Sequence, residues 1–417
     1  MSSPAAEGRI EHDLTDHDIG RIPPIISLDD HVIEPAHVWE RWLPARYRDQ
    51  GPKIERRRYK PFQIVGLGDY ALEESDDGEL CDVWVYEGVV YPQKRHLASV
   101  GFEPKDILPV PITYEEMRPG CYDPAARVAD MGLNGVSASL CFPTFPRYCG
   151  QRFAEATDKD LALACVQAYN DWMVEEWCGD SEGALLPLTI TPIWDVDLAI
   201  AEVNRNAARG VRAVCFSEIP YHLGLPSIHS GYWEPLLSTC EDTGTVLFMH
   251  IGSASKMFST SADAPGGVVQ DITAFQCASG ALADWLASGV YVRHPRLRVV
   301  HAEANIGWIP YFLQSADQTW AHQAWTFFDK ILPEAPSHYF HQNVSVTFID
   351  DPVGLAALEL IGEDSVIYES DYPHADGTFP HTRAVAARQM RGLTDEQIYK
   401  VTRGNALRLL GITDTLS

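Results

Sequence analysis

The chain has 417 residues, 46% of them hydrophobic and 22% charged, with a formal net charge of −26. That balance is globular, and the length suits a large α/β barrel with insertions or two domains. The acidic surface argues against nucleic acid and anionic membranes as partners, because both need Lys and Arg to displace counterions.

Residues 1–20 are polar and acidic, without the apolar core of a signal peptide, and read as a flexible N-terminal arm. No apolar run approaches the ~20 residues of a membrane helix. Nine cysteines without a Cys-x-x-Cys pair read as reduced thiols in a cytoplasmic protein.

From residue 21 to 417 the expectation is one domain built on short apolar runs. These are PIISLDDH (24–31), VSASLCFPT (136–144), LLPLTITPI (185–193), RAVCFSEIP (212–220), TVLFMHIG (245–252), LRVVHAEA (297–304), NVSVTFID (343–350) and SVIYESDYPH (365–374). They alternate little between apolar and polar, as parallel strands covered on both faces do. Helical patterns follow most of them. Residues 157–177 open with cap-type residues; 195–210 run from Asp195 as N-cap to Gly210 as C′; 350–362 and 393–411 supply the last helices. Eight strands alternating with helices predict a distorted (β/α)8 TIM-type barrel. Residues 51–125 break this rhythm and read as a β-rich insertion after strand 1 that covers the barrel mouth.

Barrel enzymes carry their chemistry at the C-terminal ends of the strands. Those ends hold Asp29, His31 and Glu34 on strand 1, His250 on strand 5, His301 and Glu303 on strand 6, and Asp371 and His374 on strand 8. Residues i and i+2 of a strand share a face, so Asp29 pairs with His31 and His301 with Glu303. Asp30 faces away and reads as structural. A lone Asp or His at a strand end is ordinarily a cap or surface group; ionisable groups on four strand ends are harder to dismiss. Imidazoles and carboxylates together suit Zn²⁺, Mn²⁺ or Fe²⁺. No serine-hydrolase elbow, phosphate loop or dinucleotide fingerprint occurs.

In order, DDHVIEP (29–35), DPAARVADMGLNGV (123–136), GLPSIHSGYWEPLLSTCEDTGTVLFMHIG (224–252), AEANIGWIPYFL (302–313), YESDYPHADGTFP (368–380) and RGNALRLLGI (403–412) resemble the amidohydrolase-related family, in its aminocarboxymuconate-semialdehyde decarboxylase-like branch. The resemblance implies a divalent metal at the barrel mouth, held by Asp29, His31, His250 and Asp371. Where that branch has His-x-His on strand 1, this chain has Asp29, and where it has a strand-6 catalytic histidine, this chain has Glu303. His301, two residues earlier, is the candidate replacement imidazole.

The function expected is a metal-dependent hydrolase or non-oxidative decarboxylase of a small organic substrate. It would use a metal-activated water or a metal-held carboxylate, with one ion, zinc before manganese. Asp371, Glu303 and His301 are the expected catalytic groups; Glu34, His301 and His374 are expected as further ligands or as groups behind them. Two alternatives stand beside it: a dinuclear Fe/Fe or Fe/Mn oxygenase, and a non-catalytic metal-containing partner subunit. The helical surfaces and the arm point to a homo-oligomer, or to a hetero-oligomer with a homologous subunit.

Overall fold

The computed structural model describes residues 14–66, 69–261, 263–265 and 267–414. Of the arm expected over 1–20, residues 1–13 lie outside the described residues. Asp16–Gly20 form a helical turn whose N-cap, Thr15, takes the Asp18 amide, and Leu14 and Ile19 pack against the main core.

All eight expected strands are present, most of them shorter than their apolar runs, and the third is split in two. Ile25–Val32, Val136–Pro143 and Leu185–Leu186 make one parallel arc. Leu188–Thr189, Ala213–Cys215, Val246–His250, Val299–Ala302, Val344–Phe348 and Val366–Tyr368 make a second. Between the arcs stands Pro187, which has no amide to continue a ladder. Leu185 therefore pairs back with Ser139, and Leu188 forward with Ala213. At the other end, the Asp371 amide donates to the Asp29 carbonyl at 3.1 Å and the His31 amide to the Tyr372 carbonyl at 2.6 Å. Those two bonds tie the chain beyond the last strand to the first strand, beside the acids of both. Every residue of Ile25–Val32 and Val136–Pro143 is buried, as parallel strands between two layers must be.

The helices between the strands start where side chains satisfy their free amides. Asp158 takes the Leu161 amide at 3.0 Å and opens Lys159–Trp172; Asp195 takes those of Asp197 and Leu198, both at 3.0 Å, and opens Val196–Ala207. That second helix ends at Ala207 with Ala208 as its C-cap, so Gly210, with φ +89°, sits one position beyond C′ rather than at it. The 350–362 pattern is two short helices, Pro352–Ala356, capped by Asp351, and Leu358–Ile361, which ends at Gly362. One apolar cluster runs from Ile22 to Leu410, with Trp39, Trp172, Trp233 and Trp285 filling it between strands and helices.

Between the first two parallel strands the chain forms small antiparallel sheets, one of Lys53–Tyr59, Glu79–Tyr86 and Val89–Pro92, the other of Gln63–Gly66 and Asp69–Ala71. The segment after them reaches the strand ends: the Ala375 amide donates to the His96 carbonyl at 3.0 Å and Ser99 Oγ to the Pro373 carbonyl at 3.0 Å. Among the described residues no helix is long and apolar enough to cross a membrane, and all nine cysteines are unpaired.

Candidate metal centre

The strand ends bring together Asp29, His31, His250, Glu303, Asp371 and His374. His31 Nε2 lies 3.5 Å from Asp29 Oδ1 and 3.3 Å from Asp371 Oδ1. His250 Nε2 lies 3.5 Å from Asp29 Oδ2 and 3.0 Å from Glu303 Oε2. His374 Nδ1 lies 3.1 Å from Asp371 Oδ1, and its ring stacks on that of His31 with centroids 3.7 Å apart. Two sets of donor atoms are compact enough to share an ion, Asp29–His31–His250 and His31–Asp371–His374.

The donor set fits a divalent cation. Both oxygens of Asp29, both of Asp371, and Nε2 of His31 and of His250 are buried without a hydrogen-bond partner. His250 makes the case sharpest. Its Nδ1 lies 2.7 Å from the Ile251 carbonyl, which only accepts, so Nδ1 is the donor of that hydrogen bond. Nε2 is then the nitrogen that faces the carboxylates of Asp29 and Glu303, the position from which an imidazole would bind a metal ion. Burial, reinforced by the carboxylates of Glu369, Glu303 and Asp371, pushes the Asp29 pKa well above the usual carboxylate range. Burial and the neighbouring His374 and His250 push that of His31 well down. His374 moves the other way: burial acts to lower it, but the Asp371 carboxylate and Glu303 hold it above the ordinary value.

Two strand-end acids have backbone conformations that non-glycine residues seldom adopt, Glu303 at φ +54° and Asp371 at φ +50°. At Glu303 this reverses the expected alternation. His250 pairs across the ladder with Ala302, and Met249 with His301, so His301 lies on the face opposite His250. The sharp turn after Ala302 swings Glu303 back toward His250. His301 is thus separated from the cluster, and burial alone lowers its pKa, to about 4. The expectation that His301 serves as catalytic group or ligand is corrected on this ground.

Glu34 is also engaged elsewhere. Its oxygens accept the amides of Thr144 (2.9 Å) and Phe145 (2.8 Å), which fixes the loop after the second strand; burial raises its pKa to about 7. Glu218 does the same for the loop after Val246–His250, accepting from Gly252 (3.0 Å) and Ala254 (3.3 Å). Asp30 is structural, as expected. It accepts from Ser27 Oγ (3.1 Å), Ser370 Oγ (2.6 Å), the Tyr372 amide (3.0 Å) and Ser139 Oγ, tying first, second and last strand ends together.

Two residues were not anticipated. Glu369 is fully buried, its Oε1 without a partner and its charge opposed by Glu303 and Asp371. Its signal was available, because it directly follows the buried strand Val366–Tyr368, among the other strand-end acids. Tyr148 stacks on His250 with centroids 4.1 Å apart at 14°, and Phe142 meets the same ring edge-on at 5.0 Å. A loop tyrosine carries no periodic signal.

The amidohydrolase family description matches residues 36–412. Among solved structures, the chain is similar to an amidohydrolase from Mycobacterium avium subsp. paratuberculosis K-10, with 22% identity and a TM-score of 0.67 over 93% of this chain and 99% of that one. It is similar to 5-carboxyvanillate decarboxylase from Sphingomonas paucimobilis, with 22% identity and a TM-score of 0.53 over 70% and 84% of the two chains. A dihydroxybenzoic acid decarboxylase from Polaromonas sp. JS666, solved with bound manganese, matches with 19% identity and a TM-score of 0.57 over 76% and 93%. At these identities the likenesses show the fold.

Proposed function

The chain belongs to the amidohydrolase family, and from that membership we propose that it is a metal-dependent hydrolase or non-oxidative decarboxylase of a small organic substrate. The observation that carries this reading is the convergence of buried, unpartnered donor atoms of Asp29, His31, His250 and Asp371. One divalent ion, zinc or manganese, would be held by those four residues at the mouth of a distorted (β/α)8 barrel. Such an ion polarises a carbonyl or carboxylate and lowers the pKa of water beside it. A single ion is favoured because Glu34, expected as an extra ligand, is held by two backbone amides, and His301 lies on the other face of its strand.

The remaining roles follow from what each side chain touches. Glu303 is the partly open carboxylate of the group, where Asp29, Glu369 and Asp371 are enclosed. It is placed to deliver a proton to a leaving atom in hydrolysis, or to the carbon that loses CO2 in decarboxylation. Asp371, between His31 and His374, is placed to accept a proton from an attacking water, and His374 to take it onward. Tyr148 and Phe142 brace His250, and Tyr148, the half-buried one of the two, offers an aromatic face to a planar substrate.

The test is turnover by the purified chain loaded with zinc or manganese. Carboxylated phenols would be assayed for CO2 release, and small amides and esters for hydrolysis. Absence of both activities from metal-loaded protein would sink the reading.

A further inference from the structure

Lys94 stands just before the helical turn Arg95–Leu97, in the segment that follows the small antiparallel sheets. It is half-buried, and its ammonium has one acceptor among the described residues, the Pro92 carbonyl at 3.2 Å. On a chain with 58 acids to 32 lysines and arginines, the ionisable groups that act on it are Arg152 and the Cys81 thiol, and no carboxylate. Burial and repulsion by Arg152 bring its pKa down to about 8. Arg152 is half-buried too. Its Nε donates to the Phe145 carbonyl at 2.9 Å and its guanidinium lies over the Tyr91 ring, 3.3 Å from the centroid. The acid closest to it along the chain, Glu155, is taken by Arg147 at 3.2 Å. Two cations that repel each other in a partly desolvated place, with no acid between them, cost free energy that a bound anion would offset.

The pair adjoins the metal centre. Lys94 Nζ sits 4.9 Å from the centroid of the Tyr70 ring, and the Tyr70 hydroxyl is 2.6 Å from His96 Nε2. His96 Nδ1 is buried without a hydrogen-bond partner. The His96 carbonyl accepts the Ala375 amide, the residue after His374. Burial, then the charges of Lys94 and His374, lower the His96 pKa to about 3, so this ring stands between the ammonium and the metal centre. Arg152 belongs to the helix Gln151–Glu155, which directly follows the loop whose Tyr148 stacks on His250.

We propose that Lys94 and Arg152 hold a second carboxylate of the substrate while its first anionic group lies at the metal ion, so that the substrate is a dianion. This rests on the metal-dependent reading above and adds the substrate's charge to it. The ammonium supplies a compact charge and the guanidinium a fork of N–H donors, the usual partners of a carboxylate. Orientation follows from charge. Asp271 and Asp376 both feel the Glu303 carboxylate and neither acts on Lys94, so the mouth has an acidic part that repels the second carboxylate and a basic part that receives it.

The test is titration calorimetry of the zinc-loaded chain at pH 7 with benzoate, isophthalate and terephthalate, the last two presenting a second carboxylate at two spacings. The better dicarboxylate is expected to bind at least ~10-fold tighter than benzoate, the gain from one hydrogen-bonded charge pair. Lys94→Met keeps the apolar stem and should bring that preference to within about twofold with the benzoate dissociation constant unchanged. Arg152→Gln should reduce the preference as well, which keeps the test open if either variant folds poorly by circular dichroism. The control, Lys53→Met, removes an exposed cation that bonds to the Asp49 carbonyl in the same β-rich segment and should keep the full preference. No preference for either dicarboxylate, a preference kept by both folded variants, or an equal loss in the control would each overturn the proposal. Binding is read rather than turnover, so an inert protein would sink the hydrolase or decarboxylase reading without altering this outcome.

Discussion

Glu303 Oε2 lies 3.0 Å from His250 Nε2, a contact made by the left-handed turn of the Glu303 backbone at φ +54°. If this carboxylate moves protons while Asp29, His31, His250 and Asp371 hold the ion, the two jobs separate by mutation. Glu303→Gln should lower kcat by ~10²–10⁴ while bound metal per chain stays at the wild-type level. A parallel loss of metal would make Glu303 a ligand instead.

Asp371 should behave differently, since it is assigned both jobs. Asp371→Asn removes one negative donor beside His31 and His374 and should abolish turnover, with metal content falling in the same preparation. Far-UV circular dichroism should not change, because the backbone bond from the Asp371 amide to the Asp29 carbonyl does not involve the side chain. Measurable turnover by this variant would remove Asp371 from the mechanism.

Removing the ion leaves Asp29 and Glu369 enclosed beside Glu303 and Asp371, and both have pKa values raised by burial and by the neighbouring carboxylates. In metal-free protein each therefore binds its proton more tightly folded than unfolded. Their contribution to stability is fullest at low pH and is lost as pH rises through the raised values. The gap in melting temperature between metal-loaded and stripped protein should accordingly widen from pH 5 to pH 8. At a free metal concentration of ~1,000 Kd the ion adds about 4 kcal/mol. A gap independent of pH would argue against a cation among these acids.

Much of this site was legible in the sequence because strand ends are. Apolar runs without strict alternation identify buried parallel strands, and the acids and imidazoles that close them stand out against that background. Asp29, His31, His250 and Asp371 were found in this way, through spacing and resemblance together. Glu34 could not be assigned its partners, since the amides of Thr144 and Phe145 are more than a hundred positions away and backbone amides leave no mark in a sequence. Tyr148 was missed because it reaches His250 from an irregular loop. The pairing of His301 with Glu303 failed for a different reason. The i, i+2 rule assumes extended backbone, and the chain leaves that conformation at Glu303.

The displaced His301 gives the last prediction, because its new position reverses its expected behaviour. With burial lowering its pKa to about 4, the ring is neutral in the folded protein over a range where the unfolded chain protonates it. The stability that goes with the neutral ring is fully present above ~6.5, the ordinary histidine value. It is lost as pH falls toward 4, and amounts to on the order of 3 kcal/mol. His301→Gln removes the titrating group, so acid unfolding should begin at lower pH than in the wild type. Being on the face away from His250, the substitution should leave kcat within about threefold and metal content unchanged, the margin expected for a residue that contacts neither ion nor substrate. A hundredfold fall in kcat with the fold intact would return His301 to the catalytic group and overturn the reading of the strand.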